Sequence, residues 1–532
     1  SPWLDRPANF TICVGFVPLG SSTAGAVAHA MRTLCRATTG HSYEDIAHST
    51  MSDFSVLNVA DDFNHEREGC YMHDNDDIAR YAIGDLKQSR HHAVIEPFPT
   101  GEHVIMKAQQ CATYFSHSRP HHQLKGLYSF IDGGVPPVVP KADISSTQLA
   151  VTYFMINSVL QLNKALDRFA INVNVPWQLS PIEWESLAEM EAVIKIVQDT
   201  TSLVQTENSQ MGAMGYLLNC KLLERLRSST FEVLDLGNIT EANSQARRLK
   251  NYVAFTEVGK TCVKRARLEA ERRLCNSTAM SINDIDGGIP VVRSERDLLC
   301  IILDPRTALF ATRAWSPDEI ENAVTSLRDV YIEFYMRPER VSDEQIAAMS
   351  RSDLCATTTS DASSNAMSDL AMSIFNENAG NRNPDDSITV EEYEAVKRAE
   401  LSARFAPEFR RYRSWVSKIK WDEEGSNVGV RGIPTNPRDI DPLLHLMRVN
   451  VMPLISEMPA NLKNFQLLLT HSRASVCSVP AASFCERINS AGGIVSTKGN
   501  VCLAEEEISH IVPLKINKAF FSRLRLRYGS NQ

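Results

Sequence analysis

From Thr147 to about Glu339 the chain carries apolar residues at almost unbroken helical spacing, and this stretch constrains the fold more than any other. A helical tract of this length has to bury its apolar stripes on neighbouring helices. Thr147 to Phe169 opens the tract. Ser180, Pro181 and Glu183 then mark a helix start: the serine caps, the proline sits in the first turn, and the glutamate falls at capping-box spacing. Leu298 to Thr307 reads as a strand or a short helix ending in Leu303-Asp304-Pro305-Arg306.

The flanks are different. Phe10 to Val17 is a strand candidate, rich in β-branched and aromatic residues and stopped by Pro18. Ser21 to Cys35 is expected to be helical, with Val27, Met31 and Leu34 on one face, and Val104 to Phe115 reads as an amphipathic helix. Residues 351–386 are rich in Ser, Thr, Asn and Asp and are expected to be a disordered linker. Glu391 to Trp415 is a charged helix. The pattern is therefore a strand candidate with helices on the N-terminal side, a long all-α stretch in the middle and a charged helix beyond it.

Composition narrows the function. With 43% hydrophobic and 22% charged residues, 532 residues suffice for two or three soluble domains. A net charge of −9 gives no global footprint for nucleic acid, so any DNA contact has to be local. No apolar run approaches the length of a membrane span, and no membrane partner is expected. The twelve cysteines are scattered, which fits a reduced intracellular compartment. Eleven of the fourteen histidines precede residue 123, which raises the question of metal binding. Ser1 in place of a methionine is read as a chain beginning partway through a larger protein.

The most informative motif lies near the other end. Ser483 follows Pro480 and precedes Glu486 by three residues, which on its own fits a carboxylate that holds a helix start. Around it stand Asp441-Pro442-Leu443, then Pro480, Ala481, Ser483, Glu486, Arg487, Ser490, Gly492 and Gly493, and finally Leu514 to Asn517. In this order they resemble the C-terminal dimerisation region of the hAT family of DNA transposases. Leu179 to Gln205 is similar to the start of that family's large helical insertion, and the Leu-Asp-Pro-Arg segment at 303–306 is similar to a recurrent segment of it. Departures are His445 and Leu446 in place of tryptophans, Gly499 and Asn500 in place of a basic pair, and Pro513 within the last helix.

The resemblance implies an α/β fold with a large all-α insertion: a ribonuclease H-like core interrupted by a helical insertion domain. Residues 1–140 and 400–532 would form the core, 147–345 the insertion and 351–386 the linker. It also implies an Asp-Asp-Glu triad holding two Mg²⁺ ions, since hard cations take oxygen ligands and two of them are needed to stabilise the attacking and leaving oxygens. Glu486 would be the third carboxylate. Asp53, some twenty residues before a Cys-x-x-His formed by Cys70 and His73, would be the second. Two ligands fall short of the four that structural zinc takes, so Cys70 and His73 are expected to be a buried pair supporting the site. At the first position Trp3 matches the family's tryptophan and Ser1 stands in place of the aspartate, with Asp5 out of register. The family's zinc finger is not recognisable. The expected function is a nuclear or intracellular, DNA-binding, self-associating relative of the transposases without full activity, pairing through Leu443, Leu444, Leu446 and Met447. The alternatives are an active Mg²⁺-dependent transposase, if sequence ahead of Ser1 supplies the first aspartate, and a pure protein-association scaffold.

Overall fold

The computed structural model describes residues 24–40, 50–51, 67–68, 70–84, 97–115, 120, 122–124, 149–204, 214–239, 243, 245–275, 295–308, 317–336, 346, 389–418 and 511. Helices account for 80% of them, which bears out the large all-α part. Strands among the described residues are confined to two ladders of two strands each. Two units divide the chain. One comprises Phe10–Glu207, Met214–Arg293 and Val479–Gln532; the other comprises Ser1–Asn9, Asn208–Ala213 and Ser294–Ser478. The dividing point at 293/294 falls inside the 147–345 stretch. The strand candidate at 10–17 and the stretch 351–386 lie outside the described residues.

In the first unit the elements are α1 (Ala24–Thr39), β1 (Thr50–Met51), β2 (Arg67–Glu68), α2 (Tyr71–Ile83), α3 (Pro99–Phe115), α4 (Leu149–Gln161), α5 (Asn163–Val173), α6 (Pro181–Val204), α7 (Met214–Leu226), β3 (Thr230–Leu234), β4 (Arg247–Asn251) and α8 (Glu257–Leu274). The α1 helix buries Ala28 and Cys35, with Val27, Met31 and Leu34 half-buried beside them, as their spacing requires. The two residues of β1 pair in parallel with β2, while β3 and β4 form an antiparallel hairpin from Thr230↔Asn251 to Leu234↔Arg247.

Helix α6 is the post of this unit. From Trp184 onward it is buried on nearly every side, and it touches α2, α3, α4, α7, α8 and β3. Leu187, Met190, Val193, Ile194 and Val197 are fully buried, each contributing about 1.5–3 kcal/mol. Its start is the expected capping box. The Ser180 amide donates to Glu183 Oε2 at 2.7 Å, and the Glu183 amide donates to Ser180 Oγ at 3.3 Å. Lys107 of α3 donates to the same glutamate at 2.7 Å, so the cap also joins two helices. The tract from Thr147 to Phe169 is broken at Leu162, where α4 ends and α5 begins. Phe115, Phe169 and Trp177 pack together at one end of the core, with ring centroids 5.0 Å (Phe115–Phe169) and 5.5 Å (Phe115–Trp177) apart.

The second unit contains α9 (Glu295–Leu303), α10 (Pro317–Met336) and α11 (Val390–Val416). The Leu298 to Thr307 segment therefore resolves to a helix and a closing turn. Asp304 and Arg306 are both fully buried at the side chain, and Arg306 donates to Asp304 from its amide (2.9 Å) and from its guanidinium (2.6 Å). The orphan carbonyls at the end of α9 are taken by Thr307 Oγ1, on Ile301, and by Tyr412 Oη of α11, on Ile302 and Leu303. The α11 helix begins with a second capping box, formed by Thr389 and Glu392.

The α6 cap is testable. Burial alone would raise the Glu183 carboxyl, but hydrogen bonds from Lys107 and Ser180 more than offset it and hold the group below the usual range. A depressed folded value means stability that is present above the unfolded value and lost as pH falls through the folded one. Ser180→Ala is expected to cost about 1 kcal/mol. Glu183→Gln is expected to lower the unfolding midpoint at pH 7, and its gap to the parent chain should close as pH falls below the carboxylate range. A gap independent of pH would contradict the assignment.

Candidate functional site

The expected site residues divide by where they fall. Ser1, Asp53, Glu486, Leu443, Leu444, Leu446 and Met447 lie outside the described residues. Cys70 and His73 lie within them, at the start of α2. Cys70 is the N-cap residue, is buried, and its carbonyl accepts from the amides of His73 (3.1 Å) and Asp74 (3.3 Å). His73 is half-buried. The β2 strand ends at Glu68 and α2 starts at Tyr71, so the Cys-x-x-His is the joint between the parallel ladder and the helix. Gly84 ends α2 with φ 85°, a left-handed conformation that favours glycine.

The α2 helix carries Asp74, Asp76 and Asp77, a dense run of carboxylates beside the histidine. Arginines occupy all three. Arg273 of α8 reaches Asp74 at 3.0 Å and Asp77 at 2.8 Å while its Nε donates to Glu269 at 2.6 Å. Arg80 takes Asp76 at 2.7 Å. Burial would pull the Arg273 guanidinium down, but Asp77, Glu269 and Asp74 together push it up, so it stays charged. A second arginine of α8, Arg265, is buried with its guanidinium 4.0 Å from the Tyr81 ring centroid and its Nε on the Tyr81 carbonyl at 2.8 Å. The helix that begins at the Cys-x-x-His is thus clamped at both ends onto α8. Among the described residues no group of three or more His, Cys, Asp and Glu side chains could hold a metal ion.

A second concentration of charge lies on α6. Glu189 and Glu191 are completely buried. Glu189 accepts from Lys250 Nζ at 2.6 Å and from the Thr256 amide and hydroxyl, the latter at 2.6 Å. Glu191 takes Arg247 as a fork, at 2.6 and 3.0 Å, and the Asn157 amide at 2.9 Å. The Lys250 ammonium would be lowered by burial, but its bonds to Glu185 and Glu189 raise it instead. Both carboxylates have their oxygens engaged by cations and hydrogen-bond donors, so they hold α6, β4 and α8 in register and offer no free base. They are not among the residues expected from sequence. Their signal there is faint: acidic residues at 185, 189 and 191 interrupt the apolar rhythm of the helix, and the basic strand has no acidic residue of its own.

The thiols are equally quiet. Burial pushes Cys262 up to about 12, and Cys220 and Cys275 up to about 11, so at neutral pH these are protonated packing groups. No described helix is long and apolar enough to cross a membrane.

Removing the clamp is a direct check on α2. Arg273→Met takes the guanidinium away from Asp74, Asp77 and Glu269, and breaking a buried pair from one side costs about 3–5 kcal/mol. Amide hydrogen exchange over residues 71–83 should accelerate in the variant, while residues 390–416 keep the parent's protection. Unchanged exchange in α2 would show that Arg273 does not hold it.

No protein-family model matches this chain, and no curated protein matches it in sequence.

Proposed function

We propose that this chain is a hAT transposase-derived protein that binds DNA and associates with itself but does not cut DNA. The observation that carries it is the ordered signature from Asp441-Pro442-Leu443 through Pro480, Ser483, Glu486, Arg487, Ser490, Gly492 and Gly493 to Asn517. The helical array supports it independently. The family resemblance calls for a large all-α insertion opening at a capped helix, and the capped helix at Ser180 is the central post of a helical core. The Leu-Asp-Pro-Arg segment is a buried turn that ends a helix, which is a structural reason for such a motif.

In this reading Asp53 and Glu486 are the second and third carboxylates of a ribonuclease H-like core. In a complete triad they would help hold Mg²⁺, which would activate the attacking oxygen and stabilise the leaving one. Asp53 follows the β1 strand by two residues, and the clamped α2 starts at the Cys-x-x-His farther along, so paired or packed backbone stands on both sides of it in sequence. With Ser1 at the first position a hydroxyl stands where a charge is needed. Two ions held about 3.5–4 Å apart repel each other strongly, and two carboxylates are too few to offset that. DNA binding depends on local cations and not on the triad, so it outlasts the missing aspartate. Self-association proceeds through Leu443, Leu444, Leu446 and Met447.

Two measurements test the proposal. The chain is expected to leave supercoiled plasmid intact in Mg²⁺ or Mn²⁺. Cleavage by the chain that both Asp53→Ala and Glu486→Ala abolish would establish the active transposase instead. Light scattering at micromolar concentration is expected to give at least a dimer, reverting to monomer when Leu443, Leu446 and Met447 are changed to Ser together. A monomeric parent chain would remove self-association from the account.

A further inference from the structure

The two halves of α11 carry charge differently. Residues 390–400 mix signs, and their cations are engaged: Lys397 with Glu400 at 3.2 Å and Arg398 with Glu333 at 2.7 Å. Past Leu401 the exposed charged positions are Arg404, Arg410, Arg411, Arg413 and Lys418, with no carboxylate among them. The one acidic residue of this half, Glu408, is buried and is held by Tyr331 Oη at 3.0 Å and Arg404 Nε at 3.2 Å. Arg410, Arg411, Arg413 and Lys418 make no ion pair among the described residues.

At 3.6 residues per turn the three arginines 410, 411 and 413 fall within an arc of roughly 160°, and Lys418 follows in the turn after the helix, about 12 Å along the axis from Arg410. The opposite face is anchored. Phe405 stacks on Phe409 at 5.5 Å, Phe409 on Tyr412 at 6.2 Å, and Tyr412 donates to the carbonyls that end α9. A packed helix thus presents four exposed cations together in a chain whose net charge is −9. The helix dipole rewards cations in the last turn only, which accounts for Arg413 and not for Arg410 or Arg411.

We propose that this exposed face of α11, around Arg410, Arg411, Arg413 and Lys418, is a docking surface for the phosphate backbone of double-stranded DNA. It rests on the DNA-binding reading above and supplies the local contact that the chain's overall charge withholds. Duplex DNA carries one charge per about 1.7 Å of axis, so about 12 Å of helix meets several phosphates at once. The contact reads charge and spacing and carries no sequence preference.

The test uses the full chain and a fluorescein-labelled duplex of arbitrary sequence, with anisotropy titrations over a salt series. Arg410→Ala/Arg411→Ala/Arg413→Ala should weaken binding and flatten the plot of log K against log salt by about 2.7, since each neutralised phosphate contributes about 0.9 to the slope. The triple Arg→Lys variant should keep most of the slope, and circular dichroism should show equal helix content in all three proteins. A parent chain that binds while the alanine variant keeps its slope and affinity would overturn the surface and leave the DNA-binding reading standing. A parent chain that binds no duplex would remove both. Loss of heparin binding in the alanine variant with duplex binding unchanged would assign the surface to another polyanion and overturn the proposal.

Discussion

Among the described residues of the larger unit, helices α6 and α8 and strand β4 are set in register by two carboxylates placed where carboxylates are costly. Glu189 and Glu191 sit on a helix buried on nearly every side, and each is paired with a cation from β4, Lys250 and Arg247. Such pairs add little net stability, because desolvation offsets most of the Coulomb attraction. What they add is register. Rotating α6 by one residue would strand both carboxylates in hydrocarbon, and sliding β4 by one would turn Lys250 and Arg247 away from them. Glu189 also receives the amide and hydroxyl of Thr256, the N-cap of α8, so the same group sets where α8 starts. Gly259 lies against it, and a Cβ there would run into the Glu189 carboxylate. Helix α8 in turn positions α2 through Arg265 and Arg273. A chain of polar contacts therefore runs from the centre of the helical core to the helix that begins at Cys70 and His73.

How much of this is legible in the sequence depends on distance along the chain. The start of α6 is legible because Ser180, Pro181 and Glu183 act on one another within four residues. The faces of α1 and α3 are legible for the same reason, and so is the span of the charged helix α11. The break at Leu162 is not, since α4 and α5 share one apolar rhythm across it. Leu298 to Thr307 is ambiguous between strand and helix, because a short apolar run carries no period of its own. The clamps are invisible. Arg273 and Asp74 are 199 residues apart, and nothing local to either names the other. Of the candidate site, Cys70 and His73 form a helix start, a role their spacing allows but does not specify, while Asp53 and Glu486 rest on the motifs around them.

Two kinds of information meet in the functional reading. An ordered signature at 441–517 carries a family resemblance, and the described residues supply a large all-α part. The same helices distinguish committed charge from spare charge. The acidic run of α2 and the glutamates at 189 and 191 of α6 are engaged by arginines and a lysine, so they are scaffolding. The exposed cations of α11 past Arg404 make no ion pair among the described residues, and they are the ones the proposed DNA contact would use.

In the proposed function two carboxylates 433 positions apart in sequence numbering, Asp53 and Glu486, belong to one site. A crystal structure of the full chain soaked in Mn²⁺, with the ion located by its anomalous signal, measures this directly. The expected result is that the two carboxyl groups stand within about 10–12 Å of each other, as a site for ions about 3.5–4 Å apart requires. Carboxyl groups farther apart than that would contradict the shared site.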